Sequence, residues 1–177
     1  MVFSRIKRLF GFERKKTRFS RFIDSSGNFE MDYPEGWKYD HDIAIEDGKY
    51  TVSFSSPDSH AAFVISVDAS LPQDFKFPGY ARNELESPSA GIYAKAVRCR
   101  FHKMPAYERE YCYVSGGKAY CGGGMMFHAN QAVFSMLWNC LQSTKKETGR
   151  IFSRMMDSFV VRQGFRIKKY SKPKSDG

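Results

Sequence analysis

Apolar and polar residues alternate through much of the chain, which is the pattern of half-buried β-strands. Residues 29–33 alternate between large apolar and acidic side chains, and residues 50–55 between apolar side chains and hydroxyls. Further strands are predicted at residues 43–45, 62–67, 93–101, 106–114, 118–128 and 132–141. Residues 62–67 are more continuously apolar, which favours a strand covered on both faces.

The clearest local signal is a β-hairpin around Gly116-Gly117. A two-residue Gly-Gly loop between two alternating runs favours a tight antiparallel turn. Its register would pair Val114 with Ala119, Tyr113 with Tyr120, and Cys112 with Cys121.

Two helices are predicted. A short one lies near residues 79–85, because Pro88 prevents a longer extension. A second begins after Thr144, where Thr144 and Glu147 have the spacing of a capping box, and its apolar residues recur at helical intervals. Many strands with two helices indicate one α+β domain, and the length of 177 residues suits a single hydrophobic core.

The first 21 residues form a different kind of segment. Val2, Phe3, Ile6, Leu9 and Phe10 fall on one arc of a helical wheel. The segment carries eight basic residues against one acid, a net charge of +7. Its candidate surface-binding residues are Arg5, Lys7, Arg8, Arg14, Lys15 and Lys16. A basic amphipathic segment of this kind is typical of attachment to an anionic membrane surface.

The positive net charge of +9 is therefore concentrated at the two ends of the chain. Residues 162–177 add six basic residues and one acid, a charge of +5, so the middle of the chain carries −3. We divide the chain into a basic segment (1–23), amphipathic or disordered, a folded domain (24–162) and a basic disordered tail (163–177). Nonspecific nucleic-acid binding through the ends is a weaker alternative, since an apolar arc has no role in phosphate contacts.

The four cysteines form no CxxC pair, which argues against a zinc site or a thioredoxin-like motif. The sequence shows no secretory core and no apolar run of spanning length, so the expected location is the cytoplasm, with peripheral membrane attachment as an extension. Cys112 and Cys121, opposite in the predicted hairpin, would be placed to cross-link under oxidation.

Three phrases, in this order and spacing, resemble the PsbP-like superfamily. They are Phe29-x-Met31-x-Tyr33-Pro34-x-Gly36-Trp37, then Val52-x-Phe54-x-x-Pro57, and finally Ile151-Phe152-x-x-Met155-x-x-Ser158-Phe159. The superfamily includes the extrinsic PsbP protein of photosystem II and the Ran-binding Mog proteins. The resemblance covers residues 24–162 and implies an antiparallel sheet of about six or seven strands flanked by helices, an α/β/α sandwich. It also implies a binding or assembly role rather than catalysis, and no cofactor.

Asp40, His41 and Asp42 form the group most like a metal site, because carboxylates and imidazole together can bind a divalent ion. In a strand, however, the two aspartates would point away from His41. A solvated loop is the simpler interpretation. The run Gly122-Gly123-Gly124 could suggest a phosphate loop, but neither a helix N-terminus nor a lysine follows it, so a bulged or kinked strand is expected.

Tyr111, Tyr113 and Tyr120 share one face of the hairpin. If that face is open, the three rings would form an aromatic surface able to bind a protein or stack on bases. The alternative is that a helix covers them.

The leading hypothesis is a non-enzymatic binding module whose unknown protein partner docks on the sheet or its rim. Residues 2–21 would place the module on an anionic membrane surface. A small-molecule or metal carrier with a pocket between sheet and helices is the alternative. A hydrolase with a scattered site is a third, although no nucleophile motif is present.

Overall fold

The computed structural model describes residues 17–46, 48–72, 74–87 and 95–162, without the side chains of residues 42–46. The strands are β1 (Phe19–Ile23), β2 (Phe29–Pro34), β3 (Lys38–Glu46), β4 (Lys49–Ser55), β5 (Ala61–Asp68), β6 (Val97–Phe101), β7 (Met104–Ser115), β8 (Lys118–Ala129), β9 (Ala132–Leu141) and β10 (Val160–Val161). The helices are α1 (Phe77–Glu86) and α2 (Lys145–Asp157), and a 3-10 turn (Gln142–Thr144) precedes α2.

Seven strands form one antiparallel sheet in the order β3-β4-β5-β9-β8-β7-β6. A second sheet of three strands has the order β1-β2-β10. The small sheet and α2 cover one face of the large sheet, and α1 covers part of the other face. The α+β class and the sheet of about seven strands are therefore confirmed.

The main core lies between the large sheet and the layer formed by the small sheet and α2. It is rich in phenylalanine, because the alternating strands place their largest apolar side chains on this one face. Phe127 and Phe134 are stacked with their ring centroids 5.2 Å apart, and Phe159 packs edge-on against both rings. All three side chains are buried.

A smaller core lies beneath α1 on the opposite face. Ala81 and Leu85 of the helix pack with Tyr107, Met126 and Val133 of the sheet. In β5 the residues facing this side are only half-buried, so the strand is less covered than its apolar run predicted.

The fold begins earlier than the predicted boundary at residue 24. Strand β1 pairs along its whole length with β2, from Phe19 opposite Pro34 to Ile23 opposite Glu30. Arg21 forms a 3.1 Å ion pair with Asp32, which also binds Arg154 of α2 at 2.7 Å. The charge of +7 on the N-terminal segment therefore includes Arg21, whose side chain belongs to the fold and helps to join β1, β2 and α2.

The start of α2 also differs in detail from the prediction. Thr144 is the N-cap residue, but its side chain makes no capping hydrogen bond and donates instead to the Leu141 carbonyl, at 3.1 Å. The preceding 3-10 turn already ends at Thr144, so its backbone is not extended as a capping box requires.

Candidate binding face of the large sheet

Three tyrosines form a ladder on the α1 side of the large sheet, at the hairpin end of β7 and β8. The Gly-Gly turn sets the predicted register, so Tyr113 lies opposite Tyr120 and Tyr111 opposite Gly122. The rings of Tyr113 and Tyr120 are stacked 5.3 Å apart, and those of Tyr111 and Tyr113 lie 6.1 Å apart. All three side chains are half-buried, and burial raises the pKa of Tyr111 and Tyr113.

Helix α1 lies at the other end of these strands. It packs on Tyr107 and Met126, which are paired with each other. Tyr107 and Tyr113 are six residues apart along β7, a distance of about 20 Å. Within the part of the chain that the structure describes, no helix covers the tyrosine ladder.

The triple glycine lies in a regular part of β8, beneath the tyrosine ladder, and forms no bulge. Strand β8 pairs with β7 and β9 through Gly122, Gly123 and Gly124 without a register shift. A Cβ on Gly122 would meet the Trp138 carbonyl and come within 2.9 Å of the Tyr111 ring. The glycines are thus needed because other groups lie directly on the strand, and the expected kink is absent.

The outer edge of β7 is paired by described strands over only its first half. Its first half pairs with β6, from Met104 opposite Phe101 to Glu108 opposite Val97. Among the described residues, no strand pairs with the outer edge of residues 109–115. Within the described ranges, no strand pairs with the backbone groups of this half-strand that point away from β8.

Arg109 lies on the same face, one step along β7 from Tyr111. It is 9% exposed, and its Nε and Nη1 are buried without a hydrogen-bond partner. Its guanidinium carbon lies 5.3 Å from the centre of the Tyr111 ring, a cation–π contact. The sequence did not single out Arg109, because alternation alone places it on a face without telling how deeply that face is covered.

His41 does not act together with Asp40 in the structure. Its ring faces the core side of β3 and approaches Asp24, with Nε2 3.2 Å from Asp24 Oδ1, while Asp40 is exposed. The side chain of Asp42 is outside the described residues. No group of three potential metal ligands occurs among the residues that the structure describes.

Asp24 is the centre of a buried polar cluster that the sequence indicated only as a turn. Its Oδ2 accepts hydrogen bonds from the Tyr50 hydroxyl at 2.8 Å and the Asn28 backbone N–H at 3.1 Å. The Ser25 hydroxyl also lies 3.1 Å from His41, at the same Nε2 that faces Asp24. A serine–histidine–aspartate relay needs the serine and the acid on different ring nitrogens, so this cluster does not have catalytic geometry.

The six candidate surface-binding residues of the N-terminal segment lie outside the described residues. They are Arg5, Lys7, Arg8, Arg14, Lys15 and Lys16. At the other end, Arg162 approaches Glu30 at 3.4 Å, so the last residue of the predicted folded domain contacts β2. Neither helix in the described ranges has the length and apolar character needed to cross a bilayer.

Cys112 and Cys121 are paired across the hairpin as predicted, with their Sγ atoms 2.6 Å apart. The hydrogen bond with Cys112, together with burial, raises the pKa of the Cys121 thiol to about 11. Both thiols lie on the opposite face of the hairpin from the tyrosines. Their side chains thus belong to a different surface from the candidate binding face.

Comparison with known sequences gives no match. No protein-family model matches the chain, and no curated protein matches it.

Comparison with solved structures does give matches. The solution structure of cyanobacterial PsbP (CyanoP) from Synechocystis sp. PCC 6803 aligns with a TM-score of 0.61 at 14% identity, covering 83% of this chain and 94% of that one. Protein PA94 of unknown function from Pseudomonas aeruginosa, described as a putative regulator, aligns with a TM-score of 0.53 at 18% identity over 83% and 99% of the two chains. A point mutant of the protein Mog1 aligns with a TM-score of 0.51 at 8% identity over 81% and 96%. The chain therefore has the PsbP-like fold that its three sequence phrases predicted.

Proposed function

We propose that this chain is a non-enzymatic binding module that takes an extended segment of a protein partner along the outer edge of β7. The tyrosine ladder (Tyr111, Tyr113 and Tyr120) carries the proposal, because it lies beside the outer edge of residues 109–115, with which no described strand pairs. Main-chain hydrogen bonds to the edge would supply affinity, and the rings would contact alternate side chains of the partner.

The chemistry of the ladder suits protein recognition. Tyrosine supplies a large, rigid contact area with a polar tip and little conformational entropy to lose. Tyr111 and Tyr113 lie on β7 and Tyr120 on β8, and the Tyr111 ring lies where a side chain on Gly122 would project. Val114, 73% exposed on the opposite face of the same edge, offers a second apolar contact to an added strand.

Charge favours an acidic partner segment. Lys118 lies on the same face of β8 as Tyr120, and Arg109 lies next to Tyr111. Glu110 is on the opposite face, where it approaches Lys145 at 3.8 Å. Because Arg109 is buried, the exposed basic group that an acidic residue of the segment would meet on the tyrosine side is Lys118.

Site-specific photocrosslinking tests the docking surface. A photoreactive phenylalanine analogue at position 113, on the ladder, is compared with the same analogue at position 147, on the exposed side of α2. We expect a discrete adduct from position 113 alone, which disappears when Tyr111 and Tyr120 are changed to serine. Identical adducts at both positions, or an adduct that survives the serine changes, would contradict the proposal.

The second part of the proposal is that residues 2–21 bring the module to an anionic surface. The support is their charge and the apolar arc of Val2, Phe3, Ile6, Leu9 and Phe10. Vesicle flotation would compare the full chain with a chain beginning at Thr17, which retains β1. A start at Asp24 would remove β1, and any loss of binding would then be confounded by misfolding.

We expect flotation with vesicles rich in phosphatidylserine for the full chain only. A full-length control replaces Arg5, Lys7, Arg8, Arg14, Lys15 and Lys16 by glutamine and leaves the apolar arc intact. Equal flotation of this control would refute the electrostatic part of the proposal. RNA competing equally well with the vesicles would favour nucleic acid instead.

A further inference from the structure

A cavity of about 320 Å³ lies between α1 and the large sheet, bordered by Arg109 at one end. Leu85 of the helix and Met126, Val133 and Leu137 of the sheet form its apolar walls. Three hydroxyls line it as a row, since Thr51 pairs with Ser66 and Ser66 pairs with Ser135 across adjacent strands. Such a mixture of apolar walls with a few convergent polar groups is typical of a small-molecule site.

Arg109 is the unusual member of this lining. Its Nε and Nη1 are unpaired, closed to solvent and more than nine-tenths buried with the rest of the side chain. No carboxylate of the described residues lies within 4 Å of its guanidinium, and its neighbours Glu108 and Glu110 are on the opposite face of β7. A buried cation without a hydrogen-bonded partner is unfavourable, so the arrangement fits a site whose anion arrives with a ligand.

The far end of the cavity has the opposite character. Asp68 accepts a 3.3 Å hydrogen bond from the Tyr80 hydroxyl and lies 3.5 Å from Lys49 Nζ, and Glu84 also lines this end. A hydroxyl or amino group on the ligand could hydrogen-bond at this end.

We propose that the cavity binds a small organic carboxylate with an apolar body and a hydroxyl or amino group at its other end. The carboxylate pairs with Arg109, which turns slightly to present its donors. The body packs against Leu85, Met126 and Leu137. This site is distinct from the outer edge of β7 and does not depend on a protein partner docking there.

The experiment titrates the full chain, labelled with ¹⁵N, with 4-hydroxyphenylacetate and with its neutral amide, 4-hydroxyphenylacetamide. We expect the acid to shift amide signals of α1, β8 and β9 saturably, and the amide to bind about tenfold more weakly, because it lacks the charge-assisted contact. Arg109→Met should abolish the preference for the acid.

Arg82→Met is the matched control. Arg82 makes the same kind of contact, with its guanidinium carbon 5.6 Å from the Tyr107 ring, but it does not line the cavity. The preference for the acid should persist in this variant. Equal binding of acid and amide, equal loss in both arginine variants, or no saturable shift at millimolar acid would overturn the proposal.

A capped glutamate peptide is titrated in parallel, since a partner's acidic side chain offers the same carboxylate. If the peptide displaces the acid and also shifts residues 111–115, the carboxylate belongs to a docked chain and the small-ligand proposal fails. If the peptide leaves the bound acid in place, the cavity is a site for a free molecule.

Discussion

Asp24 and Arg109 are both buried charged residues, yet their surroundings are opposite. Asp24 accepts hydrogen bonds from Tyr50 and Asn28 and approaches His41, whereas two nitrogens of Arg109 have no partner. In the first arrangement the carboxylate is matched by donors, although Asn28 Oδ1 in the same cluster is buried without a partner among the described residues. In the second arrangement, the buried donors Nε and Nη1 of Arg109 have no acceptor among the described residues, which is expected of a site that an external ligand completes.

The largest effect that tests this comparison is expected from Asp24→Ala. Removing the carboxylate leaves the Tyr50 hydroxyl and the Asn28 N–H buried without their acceptor, so we expect a loss of about 3 kcal/mol in the free energy of unfolding. Urea unfolding measures it. Asp58→Ala is the control: Asp58 accepts from Ser56 and from the His60 N–H in an exposed turn, and its loss should destabilise the protein far less.

Equal losses for the two aspartate variants would mean that Asp24 contributes no more than an exposed turn residue. The contrast with Arg109 would then fail, because the buried hydrogen bonds of Asp24 would add no more stability than those of an exposed turn.

A second prediction concerns the glycine run of β8 (residues 122–124) beneath the candidate site. Gly122→Ala should cost about 2 kcal/mol, because its Cβ would meet the Trp138 carbonyl, which is backbone and cannot move aside. Gly149→Ala in α2 should stabilise the protein by up to about 1 kcal/mol, since nothing lies within 4 Å of that Cβ and alanine favours helix. Thermal unfolding of both variants, with changes of opposite sign, is the test.

Two changes of the same sign would mean that the glycine run is not required by close packing. The presence of three successive glycines in β8 would then need another explanation.

The extent of what could be predicted follows from the range of the interactions. The hairpin register depends on a two-residue turn and strict alternation, both local, and it was predicted to the residue. Strand β1 was not predicted, because Phe19–Ile23 contains Arg21, follows Arg18 and lacks clean alternation. Only its pairing with β2 identifies it. Asp24 and Arg109 depend on groups distant in sequence, such as Tyr50 and α1, so no local pattern signals that they are buried.

The third prediction is that Arg109→Met leaves the free energy of unfolding unchanged or raises it by about 1 kcal/mol. Methionine keeps most of the apolar contact and removes a buried group whose donors are unpaired, although the contact with Tyr111 is lost. Arg154→Met should instead lose about 1 kcal/mol, because Arg154 is paired with the largely buried Asp32 at 2.7 Å.

Urea unfolding of both arginine variants separates the two roles. If Arg109→Met destabilises the protein more than Arg154→Met, Arg109 is a structural residue and the contrast with Asp24 disappears.

The smallest expected effect is a decline in stability in alkaline solution. Burial raises the pKa of Tyr50 well above its usual range, with the Asp24 charge adding to the shift, and burial raises that of Cys99 to about 11. The Cys121 pKa is about 11, against 9.0 for a free thiol. Between these values the unfolded thiol has lost its proton while the folded one retains it, so stability should fall as pH rises from about 9 through 11.

The contribution of the Asp24 cluster can be separated from that of the thiols. Cys121→Ala removes one thiol shift and should flatten the decline, measured as the urea midpoint at a series of pH values. Tyr50→Phe should flatten it too, while lowering stability at neutral pH because Asp24 loses a donor. If Tyr50→Phe does not change the slope, the alkaline loss arises outside the Asp24 cluster. If Cys121→Ala does not change it, the loss does not come from that thiol.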